Sequence, residues 1–130
     1  FGPTLVRDSK PQKDVKKQGR SPRCILGYYQ PGHYCLIIID GRQKGYSIGM
    51  NFDEMKELCT RMGLKDAYNL DGGGSAIMVF NGEIINRPSG KGDARKLLDM
   101  IVIGEYLDGE ELHGVMPSPV PTATTEEAGN

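Results

Sequence analysis

At 130 residues the chain has the size of one domain, long enough to bury a core and too short for a sizeable second one. Its 38% hydrophobic and 25% charged residues exclude a disordered composition, and a net charge of −1 excludes a general electrostatic pull toward nucleic acid or an anionic membrane. The outlier is glycine, whose 18 residues are about twice the usual share and imply tight turns and close backbone approaches.

Residues 1–20 carry turn formers and charges with little periodicity beyond Leu5 and Val6, which predicts an opening strand and then an exposed loop. Seven basic residues between Arg7 and Arg23 face only Asp8 and Asp14; without interleaved aromatics this run reads as a solvated loop rather than a nucleic-acid surface. Arg23 to Tyr29 reads as a strand, and Gln30-Pro31-Gly32-His33 as a turn. Tyr34 to Asp40 follows with three successive isoleucines. A run apolar on both faces predicts a central, doubly covered strand, paired with the preceding one as an antiparallel hairpin.

Gly41 to Gly49 reads as loop. Asn51 with Glu54 forms a capping-box pattern, Phe52, Met55, Leu58, Cys59 and Met62 recur at helical spacing, and Gly63 ends the helix. Ala67 to Asp71 is a further strand. Ala76–Phe80 and Glu83–Ile85 flank Asn81-Gly82, a strong hairpin signal. Asn86 to Asp93 reads as loop and Leu97 to Ile103 as a final strand. From Glu105 onward all six charges are acidic, and after Met116 the composition turns to Pro, Thr, Ser and Ala. The expected division is a domain over 1–107 and a tail or linker over 108–130. The fold class expected is α+β: a mixed, mainly antiparallel sheet with one principal helix packed on it.

No apolar run approaches a membrane span, and an opening Phe rather than Met implies processing or truncation upstream. Cys24, Cys35 and Cys59 lack metal spacing; a Cys24–Cys35 bridge requires their strands to pair, and three buried thiols is the preferred reading. His33 and His113 read as solvent residues, so neither a metal nor a histidine base is expected.

The chemistry-bearing segment is Asp71-Gly72-Gly73-Gly74-Ser75. Three successive glycines disfavour a plain connection, and they suit a backbone nest whose N–H groups face an anion. A strained turn needing positive φ is the plainer alternative. Asp40 also ends an apolar strand, so Asp40 and Asp71 could form the paired carboxylates used in glycoside cleavage, or simply cap turns. Arg23, Arg42 and Arg95 are the candidate phosphate clamps, since a guanidinium fork matches phosphate oxygens.

Arg23 to Gly27, Leu36-Ile37-Ile38-Ile39-Asp40-Gly41-Arg42, Gly49-Met50 before the helix, Asn69-Leu70-Asp71-Gly72-Gly73-Gly74-Ser75, Asn86-Arg87-Pro88-Ser89 and Arg95 follow in an order that resembles the phosphodiester glycosidase family. The likeness runs from about Phe1 to Ile103, the second half of such a domain. It implies hydrolysis of a sugar-1-phosphate diester, on exopolysaccharide or cell-envelope glycans, by a secreted or surface protein without a cofactor. It further implies Asp71 and Asp40 as catalytic, and Arg23, Arg42, Asn69, Gly72, Gly73, Gly74, Ser75 and Arg95 as substrate or phosphate ligands. The partners implied are a phosphorylated glycan and the preceding half of the domain. A phosphoglycan-binding module without catalysis is the rival reading, and a half-domain inactive by itself is a third. Cys24 departs from the family, where Thr or Ser is common.

Overall fold

The computed structural model describes residues 1–89 and 95–104. The expected tail over 108–130, the end of the expected 86–93 loop and His113 lie outside the described residues. The elements are β1 (Thr4–Arg7), β2 (Lys10–Pro11), β3 (Arg23–Gln30), β4 (His33–Ile39), α1 (Phe52–Arg61), β5 (Asp66–Asn69), a single 3-10 turn (Gly73–Ser75), β6 (Val79–Phe80) and β7 (Glu83–Ile84). They form a five-stranded sheet in the order β2-β1-β5-β3-β4, with β6 and β7 as a separate ribbon. Every described pairing is antiparallel, and one helix packs on the sheet, so the class is α+β.

The helix starts as its residues dictate. Asn51 accepts the Glu54 N–H at 2.9 Å while the Glu54 carboxylate accepts the Asn51 N–H at 2.9 Å, so two otherwise orphaned donors are satisfied reciprocally. Phe52, Met55 and Cys59 turn inward and meet Leu5, Val6, Ile25, Leu64 and Ala67. Leu5, Ile25, Met55 and Leu64 are essentially fully buried, each contributing roughly 1.5–3 kcal/mol of hydrophobic stabilisation. Alternation along β3 directs Arg23, Ile25 and Gly27 to this helix side and leaves Cys24, Leu26 and Tyr28 half-buried on the other.

Three expectations about the strands need correction. Residues Lys10–Pro11, read as loop, pair with β1 through a two-residue turn in which Asp8 and Ser9 both have left-handed φ, 48° and 62°, the geometry of a type I′ hairpin. Among the described residues strand β4 is not central but lies at the sheet edge, paired only with β3. Its helix-facing Cys35, Ile37 and Ile39 meet the core, while Leu36 and Ile38 on the far face are half-buried. A continuous apolar run reports two faces that avoid water; it does not say what covers the second. Leu97–Ile103 forms no strand, and Leu98, Met100, Val102 and Ile103 are exposed: hydrophobicity supplied a strand-like pattern, but among the described residues no ladder receives it.

The cysteines are all unbridged. Cys24 pairs with Ile38 and Cys35 with Gly27, so the two thiols project from opposite faces and cannot meet. Only Cys59 is fully buried; the other two are intermediate. Among the described residues no helix is long and apolar enough to cross a membrane.

Candidate active site

Strands β4 and β5 both run antiparallel to β3 and leave the sheet at the same end, where β3 begins. Ile39 pairs with Arg23, and the Leu70 N–H donates to the Cys24 carbonyl at 2.8 Å. Asp40 and Asp71 therefore flank the start of β3, one on each side, with their strands about 10 Å apart at two inter-strand spacings. The two apolar runs ending in Asp-Gly do converge on one end of one sheet.

Their carboxylates differ. Asp71 is exposed and its Oδ1 accepts the Gly72 N–H at 2.9 Å; no partner for Oδ2 is found among the described residues. It borders a cavity of about 360 Å³ with Cys24, Leu70, Ser75, Ile77 and Arg95. Burial, and then the Asp71 charge, push the Cys24 thiol up, so Cys24 lines this cavity as a neutral SH. Asp40 is saturated. Its Oδ1 accepts from Asn86 Nδ2 at 2.9 Å, its Oδ2 from the Arg87 N–H at 3.0 Å and the Tyr46 hydroxyl at 2.9 Å, and its backbone oxygen takes the Ser47 hydroxyl at 2.5 Å.

The glycine segment is held against the start of β3. The Gly73 N–H donates to the Pro22 carbonyl at 2.9 Å, Ser75 N–H to Gly72 O, and Ala76 N–H to Gly73 O. Since Gly72 N–H is bound by Asp71, two of the three glycine donors expected in an anion nest are already engaged. No partner for the Gly74 N–H is found among the described residues. The glycines answer a steric demand first. A Cβ at Gly72 would sit 2.7 Å from the Pro22 carbonyl oxygen, and Gly73 has φ +63°, a left-handed geometry that disfavours a side chain.

The arginines separate as clearly. Arg23 is buried; its Nε donates to Met50 O at 3.0 Å and its Nη2 to Gly19 O at 2.8 Å, and the guanidinium lies 4.5 Å from the Phe52 ring centroid. Burial, and secondarily Arg42, lower its pKa from the ordinary value. Arg23 thus braces the helix side of the fold, with Nη1 also donating to Gln18 Oε1 at 3.3 Å, so that three of its N–H groups are engaged within the chain. Arg42 is exposed, with its Nη1 3.2 Å from the position a Cβ would take on Gly73. Arg95 is exposed, its Cδ 3.8 Å from the corresponding position on Gly74, and it lines the cavity.

Asn69 is buried, and its Nδ2 donates to the Gly2 carbonyl at 2.7 Å. It ties the first residues to β5 rather than facing the cavity. Its Oδ1 is without a partner among the described residues. Ser75 is half-buried and borders the cavity.

Tyr46, Asn86 and Arg87 were absent from the expected site, yet they surround Asp40. No periodicity marks them; the Asn86-Arg87-Pro88-Ser89 string was the signal for Asn86 and Arg87, and Tyr46 carried none. Among the described residues no group of three or more His, Cys, Asp or Glu side chains is placed to hold a metal ion.

A family model, phosphodiester glycosidase, matches residues 1–104. The bovine N-acetylglucosamine-1-phosphodiester alpha-N-acetylglucosaminidase is 38% identical over 69 residues, covering 53% of this chain and 13% of that protein. An SPbeta prophage-derived protein of Bacillus subtilis, YomE, is 33% identical over 108 residues, covering 79% of this chain and 16% of that protein. Among solved structures, the zebrafish N-acetylglucosamine-1-phosphodiester alpha-N-acetylglucosaminidase catalytic domain, auto-inhibited by its pro-peptide, superposes with a TM-score of 0.55. It is 26% identical, over 66% of this chain and 33% of that one. The chain spans less than a fifth of the length of these curated relatives and a third of the solved neighbour. With the family model matched across all the described residues, the chain belongs to the phosphodiester glycosidase family.

Proposed function

We propose that this chain supplies the reacting carboxylate and part of the phosphate-binding rim of an enzyme that hydrolyses a sugar-1-phosphate diester. The observation that carries this is Asp71: a strand-end carboxylate with one oxygen unpaired among the described residues, lining the cavity beside a glycine segment against which the Arg42 guanidinium lies. The bond broken joins the anomeric carbon to the phosphate oxygen, water supplies the new hydroxyl, and a phosphate monoester departs with the bonding pair. A phosphate leaving group needs less protonation than an ordinary alcohol. Stabilising the developing charges therefore carries more of the barrier: Asp71 for the oxocarbenium-like carbon, Arg42 and Arg95 for the phosphate.

The substrate class follows the relatives' names: a glycosyl phosphodiester, N-acetylglucosamine-1-phosphodiester being the one to test first. Exopolysaccharide or cell-envelope glycans met by a secreted or surface protein remain the proposed setting. A preceding segment of the same domain is the proposed cover for the far face and outer edge of β4, since that strand is apolar on both faces but, among the described residues, paired on one side only.

A phosphoglycan-binding role without turnover draws support from one observation, the saturation of Asp40, which leaves Asp71 without an evident carboxylate partner. Turnover of the methyl diester of N-acetylglucosamine 1-phosphate by the full-length polypeptide separates the two readings. Asp71→Asn is expected to lower kcat by roughly 10²-fold or more while phosphosugar affinity persists. The 130-residue chain alone is expected to be slower than the full-length polypeptide. Wild-type kcat in Asp71→Asn would overturn the assignment of Asp71.

A further inference from the structure

The Asp40 cluster does more than close a turn. Asn86 uses its amide in both directions: Nδ2 donates to Asp40 Oδ1 and to Ala76 O, each at 2.9 Å, and Oδ1 accepts the Met78 N–H at 2.8 Å. It thereby locks the exit of the glycine segment to the end of β4. The next residue, Arg87, is fixed at three points. Its N–H donates to Asp40, its carbonyl accepts Gln43 Nε2 at 2.7 Å, and its guanidinium lies 4.9 Å from the Tyr46 ring centroid. Tyr46 in turn donates its hydroxyl to Asp40. One carboxylate thus organises the backbone beneath Arg87 and the ring beside its side chain.

Such fixing is more than a surface arginine requires. An exposed guanidinium ordinarily keeps its rotamer freedom, and holding it over a ring costs that entropy. Arg87 has no carboxylate salt bridge among the described residues. Its backbone carbonyl is held by Gln43, the residue after Arg42, whose guanidinium lies against Gly73. Two exposed cations, Arg42 and Arg87, therefore stand on one hydrogen-bonded network at the end of β4, which Asn86 ties to Ala76 at the exit of the glycine segment. A pre-ordered guanidinium loses little on binding and offers a planar fork suited to two phosphate oxygens.

Resting on the proposed activity, we infer that Arg87 is a phosphate-binding residue of this site, planted there by Asp40, Asn86 and Tyr46, and that Asp40 acts as a positioning residue. This gives Asp40 a role other than that of a second catalytic acid.

The test uses the full-length polypeptide, with inorganic phosphate as the calorimetric probe and the methyl diester of N-acetylglucosamine 1-phosphate as the substrate. Arg87→Ala should raise the phosphate Kd and the KM by about tenfold or more, the loss of a charged hydrogen bond, with a smaller change in kcat. Arg87→Lys should recover only part, because an ammonium lacks the fork. Asp40→Asn should raise KM in the same direction, and combining it with Arg87→Ala should add little, as expected for residues acting through one group. Melting curves identify any variant that has merely unfolded, and Arg87→Lys keeps the test sound if Asp40→Asn does. Phosphate affinity and KM in Arg87→Ala within about twofold of wild type, less than any charged hydrogen bond contributes, would overturn the inference. Absence of diester turnover by the wild type would instead refute the proposed activity, and the phosphate titration would then judge Arg87 by itself.

Discussion

Adjacent glycines in the Asp71 segment should respond to the same substitution by different mechanisms. In Gly72→Ala the new methyl would lie 2.7 Å from the Pro22 carbonyl oxygen and 3.6 Å from the Arg23 Cα. Both are backbone atoms at the start of β3, so nothing flexible can yield. Overpacking of this kind costs roughly 1–3 kcal/mol. The shift would also strain the Gly73 N–H bond to Pro22, a further loss of about 0.5–1.5 kcal/mol. In Gly73→Ala the methyl meets only the tip of Arg42, 3.2 Å from Nη1, which can swing away. The remaining cost is the left-handed φ of +63°, roughly 1–2 kcal/mol. Gly72→Ala should therefore melt lower than Gly73→Ala, with each kcal/mol shifting Tm by roughly 2–4 °C in the larger domain of the full-length polypeptide. Function should invert the emphasis: Gly73→Ala dislodges Arg42 and should raise the KM for a sugar-1-phosphate diester while the fold persists. Thermal melts and diester kinetics on both variants of the full-length polypeptide test this. A Gly73→Ala protein that melts below Gly72→Ala, or that retains wild-type KM, would refute the reasoning and reduce the segment to a turn.

Glu54 accepts from Arg20 and from the Asn51 N–H, and these bonds hold its carboxyl down at about 2. Because its folded pKa lies below the unfolded value of about 4.3, its stabilising contribution is present above that value and is lost as pH falls toward 2. The Tm gap between wild type and Glu54→Gln should be full at pH 6 and close during acid titration; a gap independent of pH between 6 and 2 would contradict this. Burial pushes the Cys59 thiol up to about 11, so at pH 8 it should resist alkylation until the protein unfolds. Mass spectrometry showing Cys59 labelled as fast as Cys24 in the folded protein would count against the packing described.

Much of this protein was legible from local chemistry. The helix announced itself through Asn51 and Glu54, whose reciprocal bonds need only residues three apart, and through apolar positions that recur each turn. Asn81-Gly82 marked the β6–β7 turn, since φ values of 50° and 81° suit these two residues. The Asp-Gly endings of two apolar runs foretold two carboxylates at one end of the sheet, because strands that flank a common antiparallel neighbour must leave at the same end. Other features depended on contacts distant in sequence. Whether β4 was central or at an edge turned on its neighbours, not on its own isoleucines. Arg23 and Arg42 are the same residue type, yet one is spent on the carbonyls of Gly19 and Met50 and the other lies exposed against Gly73. That Tyr46, Asn86 and Arg87 would converge on the oxygens of Asp40 could not be read from its Asp-Gly strand end. Residue type sets which bonds a side chain can make; only the tertiary structure decides which donors reach it first, and so which carboxylate and which guanidinium remain available to a substrate.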